Sequence, residues 1–407
     1  MAVTLYKNKQ DCCGCGACKN ACPRNAISLI PDEEGYTYPR IDEQRCIDCG
    51  ACEKVCGYQK LPLKSTPKVC YAAAARDAEL LERAASGGLF SVLATKMLQN
   101  GGIVYGVAML AENQDLTARH VRIDTLQELQ KLQGSKYVQS DIGMTYRQVK
   151  KDLQDGKQIL FSGTPCQIAG LVSCLGRRYE NLLTVEVVCH GVPNGQMFQS
   201  FLNELEVANK ASVLAFAFRT KKKGQGKTAC VAYLRDDGSE IRTYRDGSMY
   251  SYLYFFQKSL ICRSSCYACP FATAERVADI TLGDYWGFHE EHPILPSKVK
   301  LSNAKGVSCV LINTEKGIMY FEKCMPLLIA IETTFEKIAK HNEQLRKPCT
   351  YRKERDVIME LYRTQGYSAV EEYFQKTCRK ERMVSMVVDF VPKGIRRAAK
   401  RIIGMLK

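Results

Sequence analysis

The sequence predicts an α+β protein: a small cysteine-rich N-terminal module, a larger α/β domain with a mixed sheet, and a helical, basic C-terminal tail. Three observations carry this. Nine of the 21 cysteines fall between Cys12 and Cys56. From about Val69 short apolar runs alternate with helical stretches. Charge collects at the far end, where nine Lys or Arg face only two acids from Arg379 onward, out of a net charge of +15 for the chain. With 407 residues, 46% of them hydrophobic, the chain has material for two or three real cores. Disorder, collagen and coiled coil are excluded as the main architecture. Cysteine, at about 5%, stays below the roughly 8–10% of a disulfide-stapled secreted scaffold. The thiols need another role.

The expected module covers residues 1–60. Met1 to Gln10 contain no apolar leader, and no stretch reaches the roughly 18 uninterrupted apolar residues of a spanning helix, so a cytoplasmic protein is expected. Cys12-x2-Cys15-x2-Cys18-x3-Cys22-Pro23 is followed by Cys46-x2-Cys49-x2-Cys52-x3-Cys56. Three close thiolates can cap three irons of a 4Fe-4S cubane while the fourth reaches away, in two-cluster ferredoxins to the other cluster. Two clusters follow, one on Cys12, Cys15, Cys18 and Cys56 and one on Cys46, Cys49, Cys52 and Cys22. Gly14, Gly16 and Gly50 let backbone N–H groups turn toward the anionic sulfurs. Ile27-Ser28-Leu29-Ile30 reads as a short strand beneath. Structural zinc competes, but needs four thiolates rather than two repeated sets. Cys13 is surplus to the pattern. Gly57 stands where proline often follows the fourth cysteine, a small departure.

Residues 61–68, with Pro62 and Pro67, read as a linker. In the domain expected over residues 69–340, strands are predicted at 104–109, 158–161, 183–188, 213–218, 280–282 and 307–312, and helices at 88–99, 144–153, 167–175 and 197–208. This alternation implies the mixed sheet. Ser86-Gly87-Gly88 opens a helix, where freed amides suit a phosphate, although a glycine pair there is also an ordinary turn. Gly134-Ser135-Lys136-Tyr137-Val138-Gln139-Ser140 offers a cation, a ring and hydroxyls. Phe161-Ser162-Gly163-Thr164-Pro165-Cys166-Gln167 follows a predicted strand, where α/β sheets open their binding crevice.

Taken with Cys189-His190-Gly191-Val192-Pro193, Arg263-Ser264-Ser265-Cys266-Tyr267-Ala268-Cys269, Ala278 to Gly287 and Lys305-Gly306, these motifs give the chain a recognisable character. It resembles the coenzyme F420 hydrogenase/dehydrogenase beta-subunit family, in the bacterial form with a fused dicluster ferredoxin, over most of residues 1 to about 340. The resemblance implies FAD in the larger domain, with Ser86, Gly87, Gly88, Lys136, Tyr137, Ser140, Thr164 and Lys305 as contacts. It also implies a third 4Fe-4S cluster on Cys166, Cys189, Cys266 and Cys269, with zinc, a redox thiol pair or no metal as alternatives. Cys262 reads as spare, and Cys70, Cys174, Cys230, Cys309, Cys324, Cys349 and Cys378 as buried small residues or bystanders. No catalytic base can be named.

Some local patterns fail. Lys222 to Thr228 ends like a P-loop, but Lys221 stands where its first glycine belongs. Cys189-His190 lacks the cysteine a haem attachment needs at 186. His289 and His292, three apart, could face one metal, but they lie in a loop containing Pro293 and read as solvated. In the tail, residues 341–407, Ile395, Ala398, Ala399, Ile402, Ile403 and Leu406 share one helical face, opposite a basic one. That stripe suits either docking on the protein's own core or peripheral attachment to the inner face of a membrane.

The function these features imply is an iron–sulfur flavoprotein oxidoreductase. It would pass electrons between 4Fe-4S clusters and FAD, and on to or from a small organic substrate, coenzyme F420 or another. The expected partners are an electron donor or acceptor protein such as ferredoxin and the small-molecule substrate. Nucleic acid is not expected, because the charge sits in the tail without a DNA-binding spacing. A non-catalytic relay subunit and a membrane-associated redox protein of surface-polysaccharide biosynthesis are the alternatives.

Overall fold

The computed structural model describes residues 5–112, 115–222, 228–296, 299–302 and 304–379. The predicted basic helix after Pro392 and most of the P-loop-like segment lie outside these residues. Among the described residues no helix is long and apolar enough to cross a membrane.

In the N-terminal module, β1 (Ile27–Pro31) and β2 (Thr37–Ile41) form an antiparallel hairpin with Ile27 opposite Ile41. Two short helices, Ala17–Ala21 and Ala51–Lys54, each start at a glycine in the left-handed region, Gly16 at φ +75° and Gly50 at φ +66°. Only glycine adopts that turn without strain, so each CxxC run can bend directly into its helix.

The larger domain contributes β3 (Val69–Ala75), β4 (Ile103–Glu112), β5 (Asp115–Ile123), β6 (Ile159–Gly163) and β7 (Leu182–Val187). After these come β8 (Ser212–Ala217), β9 (Thr228–Leu234), β10 (Glu240–Asp246), β11 (Ile280–Asp284), β12 (Ser308–Ile312) and β13 (Leu328–Thr333). Eight of them make one mixed sheet in the order β13-β3-β12-β11-β7-β6-β4-β5. Its centre, β4, β6, β7 and β11, is parallel, and the outer pairings are antiparallel. The parallel strands are mostly apolar, as burial on both faces demands, and their buried Thr184, Glu186 and Thr281 are held by hydrogen bonds. Helix Leu89–Gln99 covers one face, while Thr145–Gln154 and Pro165–Leu175 cover the other.

All six strands and four helices expected in the larger domain are present, within about three residues at their ends. Strands β3, β5, β9, β10 and β13 were not anticipated. The β3 run Cys70-Tyr71-Ala72-Ala73-Ala74-Ala75 carries a weak β signal, since alanine favours helix in isolation. Its alanines are nonetheless almost fully buried between β12 and β13, where small side chains let the layers close.

A smaller antiparallel sheet, β10-β9-β8, packs on an aromatic core. That core takes Phe198 and Phe201 from helix Gly195–Asn209, Tyr252 and Phe255 from helix Ser251–Gln257, and Phe374 from the last described helix, Tyr367–Thr377. The beginning of the tail is thus helical and built into the protein.

The N-terminal module is packed into the larger domain. Asn20 donates to Gly143 O at 2.9 Å, and the Arg147 guanidinium bonds Asn20 O, Cys22 O and Asn25 Oδ1. Tyr36 donates to Ile261 O at 2.9 Å, and Arg355 pairs with Glu34 at 2.7 Å. The 61–68 segment is fastened too: Ser65 bridges to Arg276, and Lys68 N–H donates to Ile312 O.

Candidate functional site

The cysteines gather around three small chambers. Cys12, Cys15, Cys18 and Cys56 line one, together with Cys13 and Cys52. Cys22, Cys46, Cys49 and Cys52 line the second, so the fourth cysteine of each run reaches the set of the other. The third takes Cys166, Cys189, Cys266 and Cys269 from separated segments, with Cys13 and Cys349 in its wall. Among the described residues no three His, Cys, Asp or Glu side chains meet closely enough to hold a single metal ion. Burial raises the thiols of Cys12, Cys18, Cys52, Cys56, Cys189, Cys266 and Cys269 above their ordinary range, Cys269 to about 11. Such thiols become thiolates when a cation takes the proton's place. At least four soft sulfur donors in each chamber are the chemistry of iron–sulfur ligation.

Beside the third chamber opens a cavity of about 650 Å³. This is within the range of about 300–1,000 Å³ usual for cofactor sites. It lies at the carboxyl ends of β6, β7 and β11, where Gly163, Val187 and Asp284 line it. That is the crevice an open parallel sheet leaves for ligands.

One wall is the Ser86-Gly87-Gly88 loop. Gly87 is pinned to the sheet, its N–H donating to Ser308 Oγ at 2.9 Å and its carbonyl accepting from Ala75 N–H at 2.7 Å. A Cβ at Gly87 would come within 2.7 Å of Ser308 N, which leaves no room for a side chain. Gly88, at φ +80°, then starts the eleven-residue helix Leu89–Gln99, whose first residues face the cavity.

On another wall stands Lys136. Its ammonium donates to the carbonyls of Gln133 at 2.7 Å and Lys131 at 3.2 Å, and burial lowers its pKa to about 7. No carboxylate among the described residues pairs with it, so a charged Lys136 favours an anion in the cavity. Tyr137 stacks on Phe256 with ring centroids 4.8 Å apart. Ser140 accepts from Gln167 Nε2 at 2.9 Å and contacts His120 Nδ1 at 3.1 Å. Burial lowers the His120 pKa to about 4, leaving a neutral ring.

Thr164 caps helix Pro165–Leu175 in a reciprocal box with Gln167 and approaches Cys166 Sγ at 3.1 Å. The Cys166 thiol is lowered to about 7, first by its hydrogen bond with Cys13 and then by that with Thr164. Seven of the eight expected FAD contacts adjoin the cavity: Ser86, Gly88, Lys136, Tyr137, Ser140 and Thr164 line it, and Gly87 lies within its loop. Lys305 does not line it. Its side chain is exposed, and Gly306 beside it packs on the Ser86 backbone.

Sequence reasoning missed several residues here. Cys13 is buried and stands as a thiol donor against both Cys15 and Cys166, lining two chambers and the cavity at once. Cys349, read as a bystander, lines the third chamber and bonds Cys266 O at 3.3 Å. Arg219 pairs with Asp284 at 2.5 Å below the half-exposed Trp286, 5.7 Å from its ring. Glu186 and Arg276, both buried, pair at 2.5 Å beside the third chamber. None of these belongs to a short motif with a known spacing. Cys13 alone carried a signal, its adjacency to Cys12.

A 4Fe-4S dicluster domain matches residues 11–60, which makes the N-terminal module one of the iron–sulfur type. The chain belongs to the coenzyme F420 hydrogenase/dehydrogenase beta-subunit family: the model of its N-terminal part matches residues 70–144 and that of its C terminus residues 156–337, together more than half of the sequence. It is an oxidoreductase subunit of that iron–sulfur type. Among solved structures, a chain of the xenon-derivatised F420-reducing [NiFe] hydrogenase complex from Methanosarcina barkeri is similar at 16% identity. The match covers 77% of this chain and 92% of that one, with a TM-score of 0.41. No curated protein matches.

Proposed function

We propose that this chain carries electrons between two N-terminal 4Fe-4S clusters, a third cluster and FAD, and exchanges them there with a small organic substrate. The observation that supports this most is continuity. The chamber of Cys12, Cys15, Cys18 and Cys56, the chamber of Cys166, Cys189, Cys266 and Cys269, and the large cavity all have Cys13 in their walls. The chamber of Cys22, Cys46, Cys49 and Cys52 joins this line at Cys52, and Cys49 in its wall is exposed. Electrons from a partner protein would enter or leave there.

A flavin in the cavity would supply the exchange between single electrons and hydride. Toward it, Lys136 and the amides at the open end of the helix that starts after Gly88 would hold the diphosphate by charge and by the helix dipole. Tyr137, braced by Phe256, offers an aromatic face. Ser140, already engaged with Gln167 and His120, would orient a polar edge.

The substrate proposed is coenzyme F420 or another small redox molecule. Anaerobic purification with counts of iron, sulfide and flavin tests the reading. Three clusters and one flavin give about twelve irons and one FAD per chain, and two clusters about eight. Colourless protein holding zinc, or protein releasing no flavin on heating, would refute it. Turnover with a deazaflavin or another organic acceptor separates an enzyme from a pure relay.

A further inference from the structure

Arg263 is the largest of the fully buried side chains. Its Nε donates to Cys12 O at 2.8 Å, Nη2 to Thr37 O at 2.9 Å and Nη1 to Gln139 Oε1 at 3.3 Å. Nη2 also lies 3.9 Å from Cys12 Sγ. The guanidinium stacks 4.1 Å from the Tyr38 ring and 5.7 Å from that of Tyr36. Every one of these hydrogen-bond partners is a carbonyl, an amide or a thiol. Among the described residues no carboxylate pairs with it.

A buried charge without a countercharge is strongly disfavoured, and arginine does not escape the cost by losing its proton. The fold nevertheless makes room for it. At Gly14, φ +68°, a Cβ would come within 2.9 Å of Arg263 Nη1, so a left-handed glycine there keeps space for the guanidinium. Arg263 also stands between two sulfur-lined chambers. It lines the one holding Cys166, Cys189, Cys266 and Cys269, and it touches Cys12 on the wall of the other. The charge that could compensate it is the charge that thiolates and a cluster would bring.

We propose that Arg263 is the fixed countercharge for the cluster on Cys12, Cys15, Cys18 and Cys56, and that it raises that cluster's reduction potential. The inference rests on the cluster assignment proposed above. One electron added to the cluster adds one negative charge, and a fixed cation beside it stabilises the reduced form. The contact to Cys12 makes the effect greatest at this cluster. The cluster on Cys22, Cys46, Cys49 and Cys52, whose chamber Arg263 does not line, serves as an internal reference.

The test is a redox titration followed by electron paramagnetic resonance on anaerobically purified full-length protein, as wild type, Arg263→Lys and Arg263→Gln, with iron and sulfide counted in each. Signals are assigned with Cys22→Ala, which removes a ligand of the reference cluster. In Arg263→Gln the reduced-to-oxidised ratio of the inner cluster is expected to fall at least tenfold at a given ambient potential. That is a shift of 59 mV to more negative values for one electron. Arg263→Lys is expected to stay near wild type, and the reference cluster to stay put in both. Loss of iron in Arg263→Gln, with iron and potential kept in Arg263→Lys, also supports the proposal, because charge alone separates the two. Full iron with an unmoved potential in Arg263→Gln overturns it. So does an equal shift in both variants, or equal loss of iron from both, which marks a structural role. Wild-type protein without iron–sulfur clusters would fail the functional reading instead, before any variant is compared.

Discussion

Alanine at Gly57 would place a methyl carbon 2.6 Å from the carbonyl oxygen of Ala169 and 2.8 Å from Ser173 Oγ. Gly57 follows the last cysteine of the second run, and Ala169 belongs to helix Pro165–Leu175, which begins at the cavity. The oxygen is backbone, so it cannot swing aside. The helix is held on the same side by Gly170, where an added Cβ would meet Cys15 Sγ at 2.9 Å. Ordinary contact begins near 3.4 Å, so the module must retreat by about 0.8 Å. Overpacking of this kind costs about 1–3 kcal/mol.

The cost falls on the docking of the module, so local opening there is expected to become roughly 5- to 150-fold more frequent. Hydrogen exchange on the anaerobic protein would read it as faster amides over residues 51–60 and 165–175, with the β8, β9 and β10 sheet unchanged. Gly195→Ala is the control, because a Cβ at that glycine meets nothing within 4 Å. Unchanged exchange at 51–60 in Gly57→Ala, or an equal change in the control, would show that this contact does not govern the docking. Proline at 57, the residue common after a fourth cysteine, is expected to disturb the docking at least as much.

Cys22→Ala is expected to lose about four irons and one signal while Cys18→Ala loses the other, since the two cysteines line different chambers; loss of the same signal in both would show uncrossed sets. Lys136→Met should weaken flavin binding by roughly 10- to 150-fold, the worth of a charged hydrogen bond of about 1.5–3 kcal/mol, read by titrating FAD onto flavin-stripped protein. Because burial lowers the Lys136 pKa to about 7, its charge is present below that pH and lost as pH rises; FAD affinity is therefore expected to fall between pH 6 and 8.5 in the wild type and to stay flat in Lys136→Met. Cys166→Ala should lower the iron count from about twelve to about eight and spare both N-terminal signals; a count of twelve in that variant would remove Cys166 from the ligand set.

Features carried by short spacing were legible from the residues alone. Cys12 to Cys22 and Cys46 to Cys56 are spaced by the local geometry of a turn entering a helix, and Gly16 and Gly50 make that turn in the left-handed conformation the spacing needs. The apolar runs that became β4, β6, β7 and β11 were legible because parallel strands are buried on both faces. Strand β3 was not, since its alanines become a strand only between β12 and β13. Tertiary structure alone decided the rest. It brings Cys166, Cys189, Cys266 and Cys269 to one chamber across about a hundred residues of chain, lays helix Pro165–Leu175 against Gly57, and sets Cys13 and Arg263 between the module and the larger domain. The physical reason is distance along the chain. Thiol spacing within one turn is a property of a few backbone angles, whereas the meeting of remote loops depends on the packing of every layer between them.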